Sequence, residues 1–359
     1  MKVETLLPLG KLDPGLAQPD TPLDLSTVAA QAQLIDAIGY DALLMEETKD
    51  DPFQVLALAA ANSGRMHVGT SVAIAFARSP FVTAMSAWTT QKVSAGRFEL
   101  GLGSQVRGHI RRRYGLEWRA PGPWMRDYVG AVKALWRAWQ TETPVNYESA
   151  TYNLNLSVPL FTPAPIVWPI PIQIAAVNPL MCAVAAEVAD GVRLHPVCSA
   201  DYIRDVVDPA LRKGAARRPT SPTHQPQPAA TGFEVCLKPL IATARDAQTL
   251  AQRREIARQR LAFYVSTPAY RGAFDRYGLE DLANELAQLS KTGRWQELAP
   301  RIPDTVLEKW VLVASYEQLA AAVKTRYGGL IDRIELSIPV ETDTDREQLT
   351  DIVAEIQAI

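Results

Sequence analysis

Short apolar, β-branched runs recur along the chain, separated by longer stretches with helical spacing. The runs are Val3 to Leu9, Ala42 to Met45, Val68 to Phe76, Phe98 to Leu102, Ile170 to Ala176, Gly191 to Leu194, Val235 to Ala242 and Ile334 to Ile338. Such alternation predicts βα units around a parallel sheet. Eight strands in one series predict a single (β/α)8 barrel, with a doubly wound open sheet as the rival. The intervening helices have readable ends. Ser26 is read as the cap of a helix that Gly39 stops, while Asp51-Pro52 and Ser79-Pro80 each put a capping side chain before a proline. Ala95-Gly96 closes the third helix.

Two stretches interrupt the repeat. Residues 140–169 carry Pro159, Pro163, Pro165 and Pro169, too proline-dense for a central strand. Residues 266–312 read as additional helices broken at Gly278 and Gly293. Both are expected as insertions over the barrel mouth of one domain spanning 1–359, because loops there vary without disturbing the packed interior. The segment Arg217 to Pro228 reads as an exposed linker.

Composition narrows the class. The chain has 37 Lys or Arg against 39 Asp or Glu, a formal charge of −2, and 47% hydrophobic residues. It lacks the basic excess of a nucleic-acid binder and the basic face of a membrane-surface protein, and it has apolar residues enough for a large core. Cys182, Cys198 and Cys236 are widely spaced and form no CxxC pair, so neither a disulfide framework nor a zinc knuckle is expected. His67, His109, His195 and His224 show no ligand spacing, so no metal is expected. With no apolar region of signal-peptide or membrane-span length, the expectation is a soluble cytoplasmic protein acting on a small molecule.

In a barrel, reactive groups sit at the C-terminal ends of the strands. Those ends carry few polar residues: Glu46, Glu47 and Thr48 after the second strand, Ser104 and Gln105 after the fourth, Asn178 after the fifth and His195 after the sixth. Adjacent side chains on a strand alternate, so only one of Glu46 and Glu47 points inward easily, and a paired-carboxylate hydrolase is poorly supported. The Gly101-Leu102-Gly103 pair lacks the third glycine of a dinucleotide fingerprint. It reads either as a tight strand-to-helix turn or as a close approach of backbone to ligand. From Arg107 to Arg119 there are five Arg and one Glu, a local charge of +4 that suits an anionic group or a solvated helix face. His195, fixed before Pro196, is placed to donate a hydrogen bond or exchange a proton.

Taken in order, these motifs resemble the luciferase-like monooxygenase superfamily, in its branch of oxidoreductases that use the deazaflavin coenzyme F-420. The resemblance runs over nearly the whole chain. It is most specific from Gly96-Arg97-Phe98 through Leu100-Gly101-Leu102-Gly103-Ser104-Gln105 to His109-Ile110 and Arg112-Arg113-Tyr114-Gly115. Glu47-Thr48-Lys49, Asp51-Pro52-Phe53, Gly69-Thr70-Ser71-Val72, Ala175-Ala176 with Asn178-Pro179, Ala189-Asp190-Gly191 and Tyr327-Gly328-Gly329 also match.

The resemblance implies a bacterial luciferase-like barrel with the deazaflavin ring at the strand ends and a non-prolyl cis bond at Ser71-Val72 behind it. It implies Glu47, Thr48 and His195 around the reactive edge. Gly103, Ser104 and Gln105 would meet the ribityl or phosphate portion, and Ala175, Ala176, Val177 and Asn178 would line the ring or tail. Arg112 and Arg113 would hold the polyanionic tail, and Trp118, Trp124 and Phe161 would cover the substrate. The sugar-phosphate dehydrogenases of the superfamily place an Asp-His pair and a Glu where this chain has Glu47-Thr48 and Val106, so that substrate is not carried over. The implied reaction is hydride transfer between the deazaflavin C5 and an unsaturated or carbonyl substrate. The alternatives are an FMN-dependent two-component monooxygenase of the same fold and a non-catalytic deazaflavin-binding barrel, and a homodimer is compatible with the family.

Overall fold

A computed structural model of the chain describes residues 1–11, 22–218 and 232–359. Its strands are β1 (Lys2–Leu6), β2 (Ala42–Met45), β3 (His67–Thr70), β4 (Ala73–Ile74), β5 (Phe98–Gly103), β6 (Tyr147–Glu148), β7 (Asn153–Leu154), β8 (Ile172–Ala176), β9 (Gly191–Leu194), β10 (Glu234–Leu237), β11 (Leu240–Ala244), β12 (Val311–Ser315) and β13 (Arg333–Glu335). β2, β1, β13, β10, β9, β8 and β5 follow β3 in parallel order, and pairing of β3 with β5 closes the ring. The fold is therefore the (β/α)8 barrel that the alternation predicts. β4 continues β3 beyond Ser71-Val72 and pairs with β5 through Ala73 and Leu102.

Local chemistry accounts for the helix starts. Asp51 Oδ1 accepts from the Phe53 and Gln54 N–H groups at 2.9 and 3.4 Å, and Ser79 Oγ accepts from Phe81 N–H at 3.2 Å. Both satisfy donors that the first helical turn leaves unpaired. Gly39, at φ 105°, ends helix Val28–Ile38 in the left-handed region that glycine tolerates. Ser26 does not cap that helix. It lies inside a preceding turn, Leu25–Thr27, which Asp24 caps by accepting from the Ser26 N–H at 2.9 Å, and the helix itself starts after Thr27 with no side-chain cap.

The seventh apolar run is not one strand. Pro239 has no N–H to give to a ladder, and the chain leaves the barrel there: β10 stays in the ring, while β11 pairs in parallel with β12 in a separate two-stranded sheet. β12 also escaped the sequence pattern, because a short, continuously apolar run such as Val311–Ser315 has no period that separates strand from helix. Residues 140–169 hold the β6–β7 hairpin and the turn Pro159–Phe161. Residues 266–312 contain helices Gly272–Asp275, Glu280–Lys291 and Asp304–Trp310, with Gly278 and Gly293 at positive φ between them. Of the expected linker from Arg217 to Pro228, residues 219–228 lie outside the described residues. No helix among the described residues is long and apolar enough to cross a membrane.

The barrel strands are buried on both faces. Val3, Leu43, Val68, Phe98, Leu100, Ile172, Ile174 and Val192 belong to the main core shared with the helices. The interior is largely charged. Arg333 on β13 holds Glu99 on β5 through two bonds of 2.8 and 2.9 Å, and Arg193 on β9 contacts Glu4 on β1. Neither pair of strands is adjacent in the ring, so both contacts cross the barrel. Glu234 reaches Arg333 at 2.6 Å, His67 Nδ1 lies 3.0 Å from Glu99, and Gln173 accepts from Arg193. Burial by itself would raise the Glu99 pKa. Arg333, aided by His67, outweighs it and holds the carboxyl well below the usual carboxylate range.

Candidate active site

The interior network reaches the mouth at Ser71, whose Oγ accepts from Arg193 Nε at 3.1 Å. The Ser71-Val72 peptide bond is cis, as the resemblance implied. Thr70 just before it ties β3 to β5, donating to the Gly101 carbonyl at 2.7 Å and accepting from Gly101 N–H at 2.9 Å. The two β5 glycines are required here. A Cβ on Gly101 would lie 1.9 Å from the Thr70 carbonyl oxygen, and one on Gly103 would lie 2.5 Å from Val72 Cγ2 and 3.9 Å from Ala175 Cβ. Val72, Gly103 and Ala175 thus meet in a floor of small side chains between β4, β5 and β8. What requires the glycine pair here is the protein's own Thr70 to Val72 segment, which packs against β5.

Around this floor the polar candidates divide. Glu47 N–H donates to the Val72 carbonyl at 3.4 Å, which brings the end of β2 against it. Both Glu47 oxygens are engaged: Oε2 accepts from Ile74 N–H at 2.8 Å and Arg78 Nε at 3.3 Å, and Oε1 from Arg78 Nη2 at 3.0 Å. Arg78 also pairs with Asp51 at 2.9 Å. A carboxylate so committed holds the backbone in place and is poorly placed to carry a proton. Thr48 is exposed and its carbonyl accepts from Arg113 Nη2 at 2.8 Å, so the arginine segment folds back over the end of β2.

Ser104 is half-buried, and Gln105 adopts φ 54° with its side-chain oxygen accepting from Val106 N–H at 2.8 Å. Asn178 stands at the start of helix Pro179–Val188 without its side chain capping the first-turn N–H groups. The Val177 carbonyl accepts from Tyr202 at 3.2 Å, and Ala176 is buried at the end of β8. Arg112 is exposed, and no carboxylate among the described residues pairs with it or with Arg107, Arg111 or Arg113. Trp124 is wall, stacked on Phe76 at 3.8 Å and donating to Tyr152 at 2.8 Å, whereas Phe161 is 69% exposed.

His195 is held by its surroundings. Its Nδ1 accepts from Val197 N–H at 3.3 Å, which puts the proton of the neutral ring on Nε2. Tyr270 stacks on it at 4.2 Å and Tyr264 meets it edge-on at 4.8 Å. Burial, with the Lys238 ammonium adding to it, lowers its pKa to about 3. The ring is neutral across the physiological range.

Sequence reasoning missed the groups beside His195. Lys238, just past β10, reaches Glu46 at 2.9 Å and Glu335 at 3.2 Å, and Lys11 reaches Glu46 at 3.4 Å. Glu46 and Glu47 therefore serve opposite sides of the mouth. Burial would depress the Lys238 pKa, but Glu335 and Glu46 outweigh it and raise it. The signal available in the sequence was Lys238-Pro239, a charged residue immediately before the proline that ends a barrel strand.

The family model described as luciferase-like monooxygenase matches residues 1–333. The chain belongs to that family. An uncharacterized protein of Mycobacterium tuberculosis is 38% identical over 314 residues, covering 87% of this chain and 90% of its own. Another protein of that organism, named as a candidate coenzyme F-420-dependent oxidoreductase, is 27% identical over 88% of this chain and 90% of its own. Among solved structures, the coenzyme F-420-dependent tetrahydromethanopterin reductase of Methanopyrus kandleri superposes with a TM-score of 0.71 at 16% identity, covering 99% of this chain and 98% of the other. A type II Baeyer-Villiger monooxygenase of Pseudomonas putida, solved with FMN, gives 0.60 at 14% identity, covering 99% and 98%. At those identities the two structures speak to the family's fold.

Proposed function

We propose that this family member is an oxidoreductase that binds coenzyme F-420 at the barrel mouth and exchanges a hydride between the deazaflavin C5 and a small unsaturated or carbonyl substrate. The observation that carries the reading is the floor where Val72, Gly103 and Ala175 meet, with Arg113, which has no carboxylate partner among the described residues, folded back onto Thr48 at the end of β2. A flat ring fits over small side chains, and a polyanionic tail fits an uncompensated basic segment. Family membership and the relative named for coenzyme F-420 support the same choice.

In this proposal Ser71, Val72, Gly103, Ala175 and Ala176 support the ring, and Ser104, Gln105, Val177 and Asn178 meet the ribityl and phosphate portion. The uncapped start of helix Pro179–Val188 suits a phosphate through its free N–H groups. When bound, the deazaflavin supplies the carbon that gives or takes the hydride. His195 offers the Nε2 proton as a hydrogen bond, Thr48 offers its hydroxyl, and Glu47 positions the Ile74 backbone and Arg78. Tyr264 and Tyr270 fix the His195 ring by packing against it at 4.8 and 4.2 Å.

Anaerobic titration with coenzyme F-420 and with FMN tests the proposal. Micromolar binding of the deazaflavin, with reduction of some member of a carbonyl and enone panel by its reduced form, is the expected result. FMN binding without deazaflavin binding would overturn it in favour of the monooxygenase reading, which the FMN-bound solved structure keeps open. Tight deazaflavin binding with no turnover would favour a binding barrel. Arg112→Ala and Arg113→Ala should each weaken the deazaflavin about tenfold, the worth of one charge-assisted contact; unchanged affinity would return the segment to a solvated face.

A further inference from the structure

The Val72–Gly103–Ala175 floor occupies the β4, β5 and β8 arc of the barrel. Across the mouth, at the ends of β1, β10 and β13, lies a separate cavity of about 130 Å³. With roughly 10–15 Å³ of such space needed per water, it holds several waters or the head of a small molecule. Leu240, Ile256 and Leu336 give it an apolar floor, and Lys11, Lys238, Arg253 and Arg260 line it against a single carboxylate, Glu335.

Sequence spacing builds one wall. Arg253, Ile256, Ala257 and Arg260 fall at i, i+3, i+4 and i+7 of helix Ala247–Ser266, so they share one face. Two features single the cavity out as built for a ligand. Among the described residues no carboxylate pairs with Arg253, although Lys238 is matched by Glu46 and Glu335. Thr243, 6% exposed and lining the same cavity, has a buried hydroxyl with no hydrogen-bond partner. A buried polar atom without a partner costs stability that a bound acceptor recovers. The cavity also communicates with His195 through one residue: Tyr264 accepts from Arg260 Nε at 2.8 Å, lies under its guanidinium at 5.4 Å, and meets the His195 ring edge at 4.8 Å.

We propose that this cavity is a subsite for the anionic head group, carboxylate or phosphate, of the molecule on which the enzyme acts, with Arg253 and Thr243 as its contacts. That the anion belongs to the substrate rests on the oxidoreductase reading; the subsite itself does not.

The test is calorimetric titration of the full-length, cofactor-free protein with butyrate, butyl phosphate and the uncharged butyramide. At least one anion should bind about tenfold or more tighter than the amide, the worth of one charge-assisted contact, and which anion binds identifies the head group. Arg253→Gln should remove that preference, Arg253→Lys should restore part of it, and Thr243→Val should weaken the anion severalfold, with circular dichroism unchanged in each. Equal binding of anion and amide, or a preference that survives Arg253→Gln, overturns the proposal. No cofactor is present, so a failed deazaflavin titration leaves these results standing, and failure here leaves the deazaflavin titration standing.

Discussion

His195 is only partly exposed, and the burial of its ring keeps it neutral, which has a consequence for pH. Its folded pKa, about 3, lies below the unfolded value near 6.5, so the unfolded chain binds the extra proton between those values. Stability contributed by the neutral ring is full above about pH 6.5 and is lost as pH falls toward 3. Urea unfolding of the wild type and of His195→Gln should therefore converge on acidification, by about 1 kcal/mol per pH unit. The His195 ring should keep its Nε2-protonated neutral form in nitrogen NMR spectra at pH 5. A charged ring at that pH would refute the neutral-donor assignment. At this scale the strand-end position of His195 was legible, since it stands between an apolar strand and Pro196. Its state was not, because Lys238, Tyr264 and Tyr270 reach it from elements distant in the chain.

At the scale of elements, β5 owes its glycines to the neighbouring strand. Gly103→Ala would push a methyl to 2.5 Å from Val72 Cγ2, and Gly101→Ala would meet the Thr70 carbonyl at 1.9 Å. Overpacking of this kind costs about 1–3 kcal/mol or more, and backbone yields less readily than a side chain. Thermal unfolding should therefore rank Gly101→Ala below Gly103→Ala, with both below the wild type. If the deazaflavin lies over this floor, its affinity should fall with Gly103→Ala. Helix starts at Asp51 and Ser79 were legible because capping is settled within a few residues. The split of the seventh run was partly legible at Pro239. The pairing of β11 with β12 was not, for it joins Leu240–Ala244 to Val311–Ser315 across the intervening helices.

For the whole molecule, the charged barrel interior is the decisive feature. Arg333 and Glu99 are both almost fully buried and doubly bonded to each other, so removing either leaves the other charge buried with only its weaker set of partners, Glu234 for Arg333 and His67 for Glu99. Glu99→Gln or Arg333→Met should each cost about 3–5 kcal/mol. The double variant should cost under the sum, because the loss of the Glu99–Arg333 contact is then counted once. Equilibrium urea unfolding of the four proteins measures both. Additive costs would show that the pair is not coupled.

The order of apolar runs and the helix starts at Asp51 and Ser79 pointed by themselves to eight βα units and to where their strand ends lie, because hydrophobic period and turn chemistry act over a few residues, while closure into a ring rather than an open sheet was decided by the pairing of β3 with β5. Tertiary structure alone decided which strand residues face inward, that Glu46 and Glu47 take different partners, and that Lys238, Arg253, Thr243 and Glu335 line one cavity. Barrel closure is what brings β1, β10 and β13 side by side from the start, middle and end of the chain. A charge meets its partner there through space, and spacing along the sequence carries no record of it.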